Sequence, residues 1–308
     1  MGADGPSTSQ VVRYGPWCVR SDIALHGLPQ ASTRDEADVI VLRGQVAVPG
    51  DADESCWDDG TEDAAPTLLV FRRGSSHVVQ FPAEGVLVSI DAHTPRRITY
   101  DARAMTQGTD LGHVLVDQVL PRCLAAWSDH LVMHAAGVQK DGYAWLVAGP
   151  SGRGKTTLAL DLAERGWTLL GDDAVALSPD ARGVRVQRLR GGTRAYGSAW
   201  SKSWRPHAHD EDEPVAHLSG VITLLPRSEG ALHVERLRGV EAAMALVGSA
   251  FRLDPADPSR PAGELEVVQH APPAGVYAVA VPHGQDGRDE LVAWLESAAA
   301  RAREADVA

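Results

Sequence analysis

Cysteine is scarce in this chain and follows no pattern. Cys18, Cys56 and Cys123 are the only three, odd in number and widely spaced. Neither a disulfide framework nor a zinc-ligand spacing can be built from them, so they read as the reduced thiols of a cytosolic protein. Positive charge is in deficit: 29 Lys and Arg face 41 Asp and Glu, for a formal charge of −12 and a pI near 5.4. That balance speaks against nucleic acid and against an anionic membrane surface as partners, since both need a basic face. It leaves room for one basic cleft. Long apolar runs are missing too. No stretch approaches the ~20 residues of a membrane span, and the polar start Met1–Gln10 has no apolar signal core. The expectation is a soluble, cytoplasmic protein.

What is present is ordinary globular composition, 44% apolar and 23% charged over 308 residues, enough for one large or two smaller domains. No internal repeat or low-complexity tract occurs. Residues 1–108 read as a small β-rich unit, with strand character at Val11–Val19, Asp38–Leu42, Thr67–Phe71, His77–Phe81 and Val86–Ile90. Within it, Asp51–Asp63 is dense in acids, either a solvated loop or a binding loop for a basic peptide. Residues 109–308 read as a second, catalytic unit. Asp110–Trp127 has helical periodicity that Pro121 should kink or divide. Leu131–Val138 reads as a strand, and Lys140-Asp-Gly142 as a tight turn into Tyr143–Ala148 as its hairpin partner. Further on, Val184–Leu189, Gly220–Leu225 and Val276–Val281 read as strands. Val240–Phe251 and Arg288–Arg301 read as helices, and Arg205–Pro214 and Asp254–Gly263 as loops.

The most specific signal is Gly149-Pro150-Ser151-Gly152-Arg153-Gly154-Lys155-Thr156, which satisfies the phosphate-loop pattern G-x-x-x-x-G-K-[ST]. Glycines let the backbone curl so that successive N–H groups face phosphate oxygens. Lys155 supplies a mobile cation for the β- and γ-phosphates, and Thr156 a hydroxyl for Mg²⁺. Tyr143–Ala148 reads as the strand before the loop and Thr157–Arg165 as the helix after it, its positive end toward the anion and Gly166 ending it. Gly149, Ser151, Gly152, Arg153, Gly154, Lys155, Thr156 and Thr157 are therefore the expected nucleotide-binding residues, with ATP and Mg²⁺ the expected cofactors.

A second constellation is Gly171-Asp172-Asp173-Ala-Val. A short strand Trp167–Leu170 after the helix returns toward the loop, which should bring Asp172 and Asp173 close to the phosphates. If strand alternation held, the two carboxylates would face opposite ways. One could then hold Mg²⁺ while the other took a proton from an attacking hydroxyl. A turn or cap pair is the plainer alternative.

Together, Met133-His134, Gly149–Thr156, Arg165-Gly166 and Asp172-Asp173-Ala-Val resemble the catalytic core of bacterial HPr kinase/phosphorylase, and more distantly that of phosphoenolpyruvate carboxykinases. The resemblance runs from His134 to Leu177. It implies an α/β (α+β) chain, a small β-rich unit followed by a phosphate-loop core on a mixed sheet. It also implies Asp172 as the base toward a seryl hydroxyl, Asp173 with Thr156 at the metal, and His134 beside them. A downstream arginine, Arg194, would offset charge on the transferred group. Two departures stand out. Thr157 occupies a position that is acidic in those kinases, and their second signature has only a faint echo in Leu189–Arg194. The layout as a whole, with Tyr14-Gly15, Ser21–Leu25 and Leu131–Ala135, is similar to HPr-kinase-related proteins of lasso-peptide and other ribosomal-peptide pathways.

The expectation is thus an ATP- and Mg²⁺-dependent kinase for a seryl hydroxyl on a peptide or protein, with residues 1–108 reading the substrate. Because HPr kinases assemble, a homo-oligomer is part of what the resemblance implies. A small-molecule kinase for free serine or a sugar-like hydroxyl, and a nucleotide-binding module without transfer, are the alternatives.

Overall fold

The computed structural model describes residues 9–32, 35–59, 65–93, 95–190, 192–196, 202–206, 216–257, 261–270 and 272–307. The chain divides into two compact units, Met1–Ser128 with Arg252–Ser259, and Asp129–Phe251 with Arg260–Ala308.

The first unit is one eight-stranded sheet with a helical run. Its strands are β1 (Gln10–Tyr14), β2 (Trp17–Ser21), β3 (Val39–Arg43), β4 (Glu54–Asp58), β5 (Leu69–Arg73), β6 (Ser76–Phe81), β7 (Val86–Asp91) and β8 (Arg96–Asp101), in the order β1-β2-β3-β8-β7-β6-β5-β4. Alternation sets the faces: Val86, Val88 and Ile90 of β7 are buried while the residues between them are half-exposed. The expected single strand Val11–Val19 is a hairpin instead, because Gly15 (φ 54°) and Pro16 turn the chain between β1 and β2. β4 lies within the acidic stretch expected as a loop; residues 60–64 fall outside the described residues.

Asp110 caps a continuous helical run by accepting from the His113 N–H at 3.1 Å. The run comprises α1 (Leu111–His113), a π-helical stretch (Val114–Val119) and α2 (Leu120–Trp127). Pro121 does not divide it. The proline ring cannot accommodate a normal preceding turn, and the helix widens to π spacing just before it. This run belongs to the first unit, so the chain divides later than the expected break after residue 108. Trp127 is held there by Trp17, ring centroids 5.7 Å apart, and by the Arg96 guanidinium 5.5 Å from its ring.

The second unit carries β9 (Leu131–Met133), β10 (Ala135–Lys140), β11 (Tyr143–Ala148), α3 (Lys155–Glu164), β12 (Thr168–Gly171), β13 (Val175–Asp180) and β14 (Gly183–Arg188). After these come β15 (Gly192–Tyr196), β16 (Lys202–Pro206), β17 (Ala216–Leu224), β18 (His233–Leu237), α4 (Gly239–Val247), α5 (Pro261–Gln269), β19 (Gly275–Ala280) and α6 (Gln285–Val307). A nine-stranded mixed sheet runs β12-β10-β11-β17-β14-β13-β9, with β19 along the last residues of β17 and β18 beyond it. β15 and β16 pair separately. The α/β expectation with a mixed sheet is what the chain adopts. No helix among the described residues is long and apolar enough to cross a membrane.

The sheet is covered on both faces. On one, Leu158 and Leu162 of α3 and Leu291, Val292 and Leu295 of α6 pack on Val138, Trp145, Val147 and Ile222. On the other, Leu246 of α4 and Val267 of α5 meet Met133, Leu146, Val175 and Leu177. Trp145 is fully buried and lies edge-on to Trp294 and stacked on Tyr277. Gly220 leaves the room for it: a β-carbon there would stand 2.4 Å from the indole.

Candidate functional site

The sheet register explains why the candidate residues meet. β10 runs antiparallel to both of its neighbours, Ala135 opposite Ala148 of β11 and Gly137 opposite Gly171 of β12. β11 and β12 therefore end on the same side, where β10 begins. That single edge gathers His134 before β10, Gly149 after β11 and Asp172 after β12. The turn at Asp141 (φ 55°) and Gly142 (φ 84°) that makes the first pairing is the two-residue type expected from Asp-Gly. The phosphate loop hangs from a hairpin, as expected, yet β11 is also paired in parallel with β17 on its other side.

Gly149 (φ 129°) and Gly154 (φ 99°) hold conformations that a β-carbon disfavours. Gly149 has a second reason to be glycine, since a β-carbon would stand 2.7 Å from the Leu224 carbonyl oxygen. α3 begins at Lys155, earlier than the expected Thr157, and Gly166 (φ 82°) follows its end. The Lys155 side chain is buried and folds back on the loop, its Nζ donating to the carbonyls of Gly149 at 2.8 Å and Pro150 at 3.3 Å.

Asp172 is 0% exposed, and both of its carboxylate oxygens accept from the Thr156 hydroxyl, at 3.0 and 3.1 Å. Burial pushes its pKa up, and the neighbouring Asp173 charge pushes the same way, to about 6. The Thr156 hydrogen bond and Arg190 oppose that shift without cancelling it.

Asp173 departs from expectation. The pair lies in a bend between β12 and β13, so strand alternation does not set its directions. Asp173 instead takes a left-handed conformation (φ 68°), which Asp tolerates better than most residues. Its carbonyl accepts from His134 Nδ1 at 2.9 Å, and its carboxylate pairs with Arg190 at 3.2 Å. Because a carbonyl can only accept, Nδ1 is the protonated nitrogen on this side of the ring. His134 sits at a break between β9 and β10, not inside one strand, with its N–H on the Ser249 carbonyl at 2.7 Å and Phe251 edge-on to its ring.

The structure brings together His134, Lys155, Thr156, Asp172 and Asp173, all within the second unit. Arg194 lies in β15 opposite Trp204; its side chain is outside the described residues. The arginine at the acid pair is Arg190, buried and donating to the Asp172 carbonyl at 3.1 Å as well as to Asp173. Its signal was present in Leu189–Arg194: Arg188 closes β14 opposite Val175, so Arg190 arrives next to the bend. Thr156 and the two carboxylates are hard oxygen donors, a set that fits Mg²⁺.

Two other features bear on function. A cavity of about 670 Å³ opens at the opposite end of the same sheet, beside Asp141, Tyr143, Arg182 and His217, and no candidate residue lines it. In the first unit, Cys56, His77 and Asp254 bring ligand atoms within 4.8 Å of one another. Arg72 donates through Nε (3.1 Å) and Nη2 to the same Asp254 oxygen that His77 approaches, so the oxygen nearest the histidine already accepts from two guanidinium nitrogens.

No family model and no curated protein matches the chain. Among solved structures, the chain is similar to the HPr(Ser) kinase/phosphatase from Coxiella burnetii at 14% identity, covering 57% of this chain and 99% of that one, with a TM-score of 0.31. A superposition that slight carries no argument about activity, which rests on the residues themselves.

Proposed function

We propose that this chain is an ATP- and Mg²⁺-dependent kinase that phosphorylates a seryl hydroxyl of a peptide or protein. One observation carries the reading: a fully buried carboxylate, Asp172, is tied to the hydroxyl of the phosphate-loop Thr156, where burial and the Asp173 charge hold its pKa above the usual carboxylate range. A structural carboxylate is usually paired and held acidic. A general base works best with its pKa near the working pH.

Thr156 and Asp173 would hold Mg²⁺, which would offset charge on the phosphates of ATP; the γ-phosphoryl group would pass to the acceptor oxygen and ADP would leave. The amides of Ser151–Thr156 and the Lys155 ammonium would orient the phosphates. Asp172 takes the proton from the acceptor hydroxyl at a carboxylate oxygen. Arg190 and His134 hold the bend that presents it, one through the Asp173 carboxylate and the other through its carbonyl. Reading of the peptide falls to the β-rich first unit, where a sheet edge offers the backbone groups an extended segment needs. The same core would serve a small-molecule acceptor.

Incubation of the full chain with γ-labelled ATP, Mg²⁺, serine-containing peptides and free serine tests this. Label on peptide serine, lost in Asp172→Asn while nucleotide binding persists, is the expected result. Label on free serine alone moves the substrate class to small molecules. Tight nucleotide binding with no labelled acceptor favours a non-catalytic module, and full activity in Asp172→Asn removes the base assignment.

A further inference from the structure

The parallel partner of the loop-bearing strand delivers a residue that no motif announces. β17 ends at Leu224, and three residues later Arg227 stands at the same edge of the sheet as the phosphate loop. Its backbone surroundings are pinned: the Leu225 N–H donates to Val279 at 2.9 Å and the Ser228 N–H to Val281 at 3.1 Å. The side chain is half-buried and anchored at one end, Nη1 donating to the Pro282 carbonyl at 3.1 Å. The other end faces the loop, with Nη2 3.3 Å from where a β-carbon on Gly154 would stand. Gly154 is the N-cap of α3, directly before Lys155. Among the described residues, no carboxylate pairs with Arg227, in a chain with 41 acids against 29 bases.

A half-buried guanidinium is costly to hold without a counter-charge. This one is aimed at the glycine that caps the N-terminus of α3, an end whose free amides favour an anion. We infer that Arg227 is a phosphate-binding residue: with a nucleoside triphosphate in the loop, Nη2 donates to a terminal phosphate oxygen while Nη1 keeps its hold on Pro282. This rests on the reading of Gly149–Thr156 as a nucleotide loop. Lys155 and Arg227 then approach the polyphosphate from two elements, one from inside the loop and one from the adjacent strand. Arginine suits the task because its planar fork serves an anchor and a ligand together.

The test is titration of the full-length protein with ATP and Mg²⁺ at several salt concentrations, using wild type, Arg227→Ala, Arg227→Lys, Arg227→Gln and Lys155→Ala, with thermal unfolding of each in the absence of nucleotide. Arg227→Ala should weaken ATP by about 10- to 100-fold, the range of a charge-assisted hydrogen bond. Its affinity should also depend less on salt, and its nucleotide-free unfolding should stay near that of wild type. Arg227→Lys should recover much of the loss. If Arg227→Ala folds and binds ATP within about twofold of wild type while Lys155→Ala loses binding, the Arg227 assignment is wrong and the loop reading stands. If neither variant weakens ATP, the loop reading falls and takes this inference with it. Should the alanine variant not fold, Arg227→Gln decides, since it keeps an amide donor for Pro282 without the charge. Weak ATP binding by Gln beside tight binding by Lys supports the assignment, and equal binding by the two overturns it.

Discussion

Replacing Asp172 by asparagine should make the protein more stable, and only above a certain pH. The carboxyl is fully buried, and its pKa rises from 3.8 to about 6 on folding, first through burial and then through Asp173. A raised folded pKa means that the folded state holds the proton more tightly than the unfolded chain. The carboxyl therefore costs nothing below about pH 4, and its cost grows as pH climbs and is complete above about pH 6. At about 1.36 kcal/mol per pH unit of displacement, the penalty at neutral pH is on the order of a few kcal/mol. Asparagine is nearly isosteric and keeps an oxygen for the Thr156 hydroxyl, so most of that penalty should be recovered. A gain of about 2–3 kcal/mol corresponds to about 5–10 °C in the unfolding midpoint for a unit of this size. Calorimetric unfolding without nucleotide, at pH 8 and at stepwise lower values to pH 4, reads it directly. The variant should melt higher at pH 8, and the two curves should converge on acidification. A variant less stable than wild type at pH 8, or an offset that ignores pH, would refute the account of Asp172 as a carboxylate held against its solvation preference. Gained stability beside lost turnover is the trade expected of a working site.

Two further substitutions probe the same core. Asp173→Asn removes a charge that pushes the Asp172 pKa up, so the acid limb of a rate–pH profile should move to lower pH; an upward move or none contradicts the coupling. Gly220→Ala drives a β-carbon to 2.4 Å from the buried Trp145 ring and should cost about 1–3 kcal/mol or more in urea unfolding, and a neutral result would show that the ring can shift.

Local chemistry was legible in the sequence, and long-range pairing was not. The Asp-Gly turn, the loop and the Gly166 stop each rest on a few adjacent residues with special backbone needs, and each stands where expected. β17 is longer than expected and pairs with β11, β14 and β19, a choice made by segments far apart in the chain. Arg227 was invisible for that reason, since nothing around it marks it until β17 lies beside β11. α5 (Pro261–Gln269) starts inside the stretch Asp254–Gly263 that reads as a loop, since proline at a helix start is a favourable placement. β8 was missed because Arg96 and Arg97 mask the alternation of Ile98 and Tyr100. Within the acid pair, alternation failed because a bend, not a strand, carries Asp172 and Asp173.

The wall behind the phosphate loop comes from a strand synthesised much later. Ala148 is paired with Thr223, and the Leu224 carbonyl closes against Gly149. During translation, at about 5–20 residues per second, the nascent hairpin of β10 and β11 must wait several seconds with an unpaired edge and a bare apolar face. Joining a parallel neighbour across that separation is a slow, non-local step. Nucleotide can therefore reward only the finished second unit, by mass action on the folded state, and cannot shepherd the first half of the core into shape. A chain cut before β17 keeps every residue of the phosphate-loop motif and has no brace to hold it.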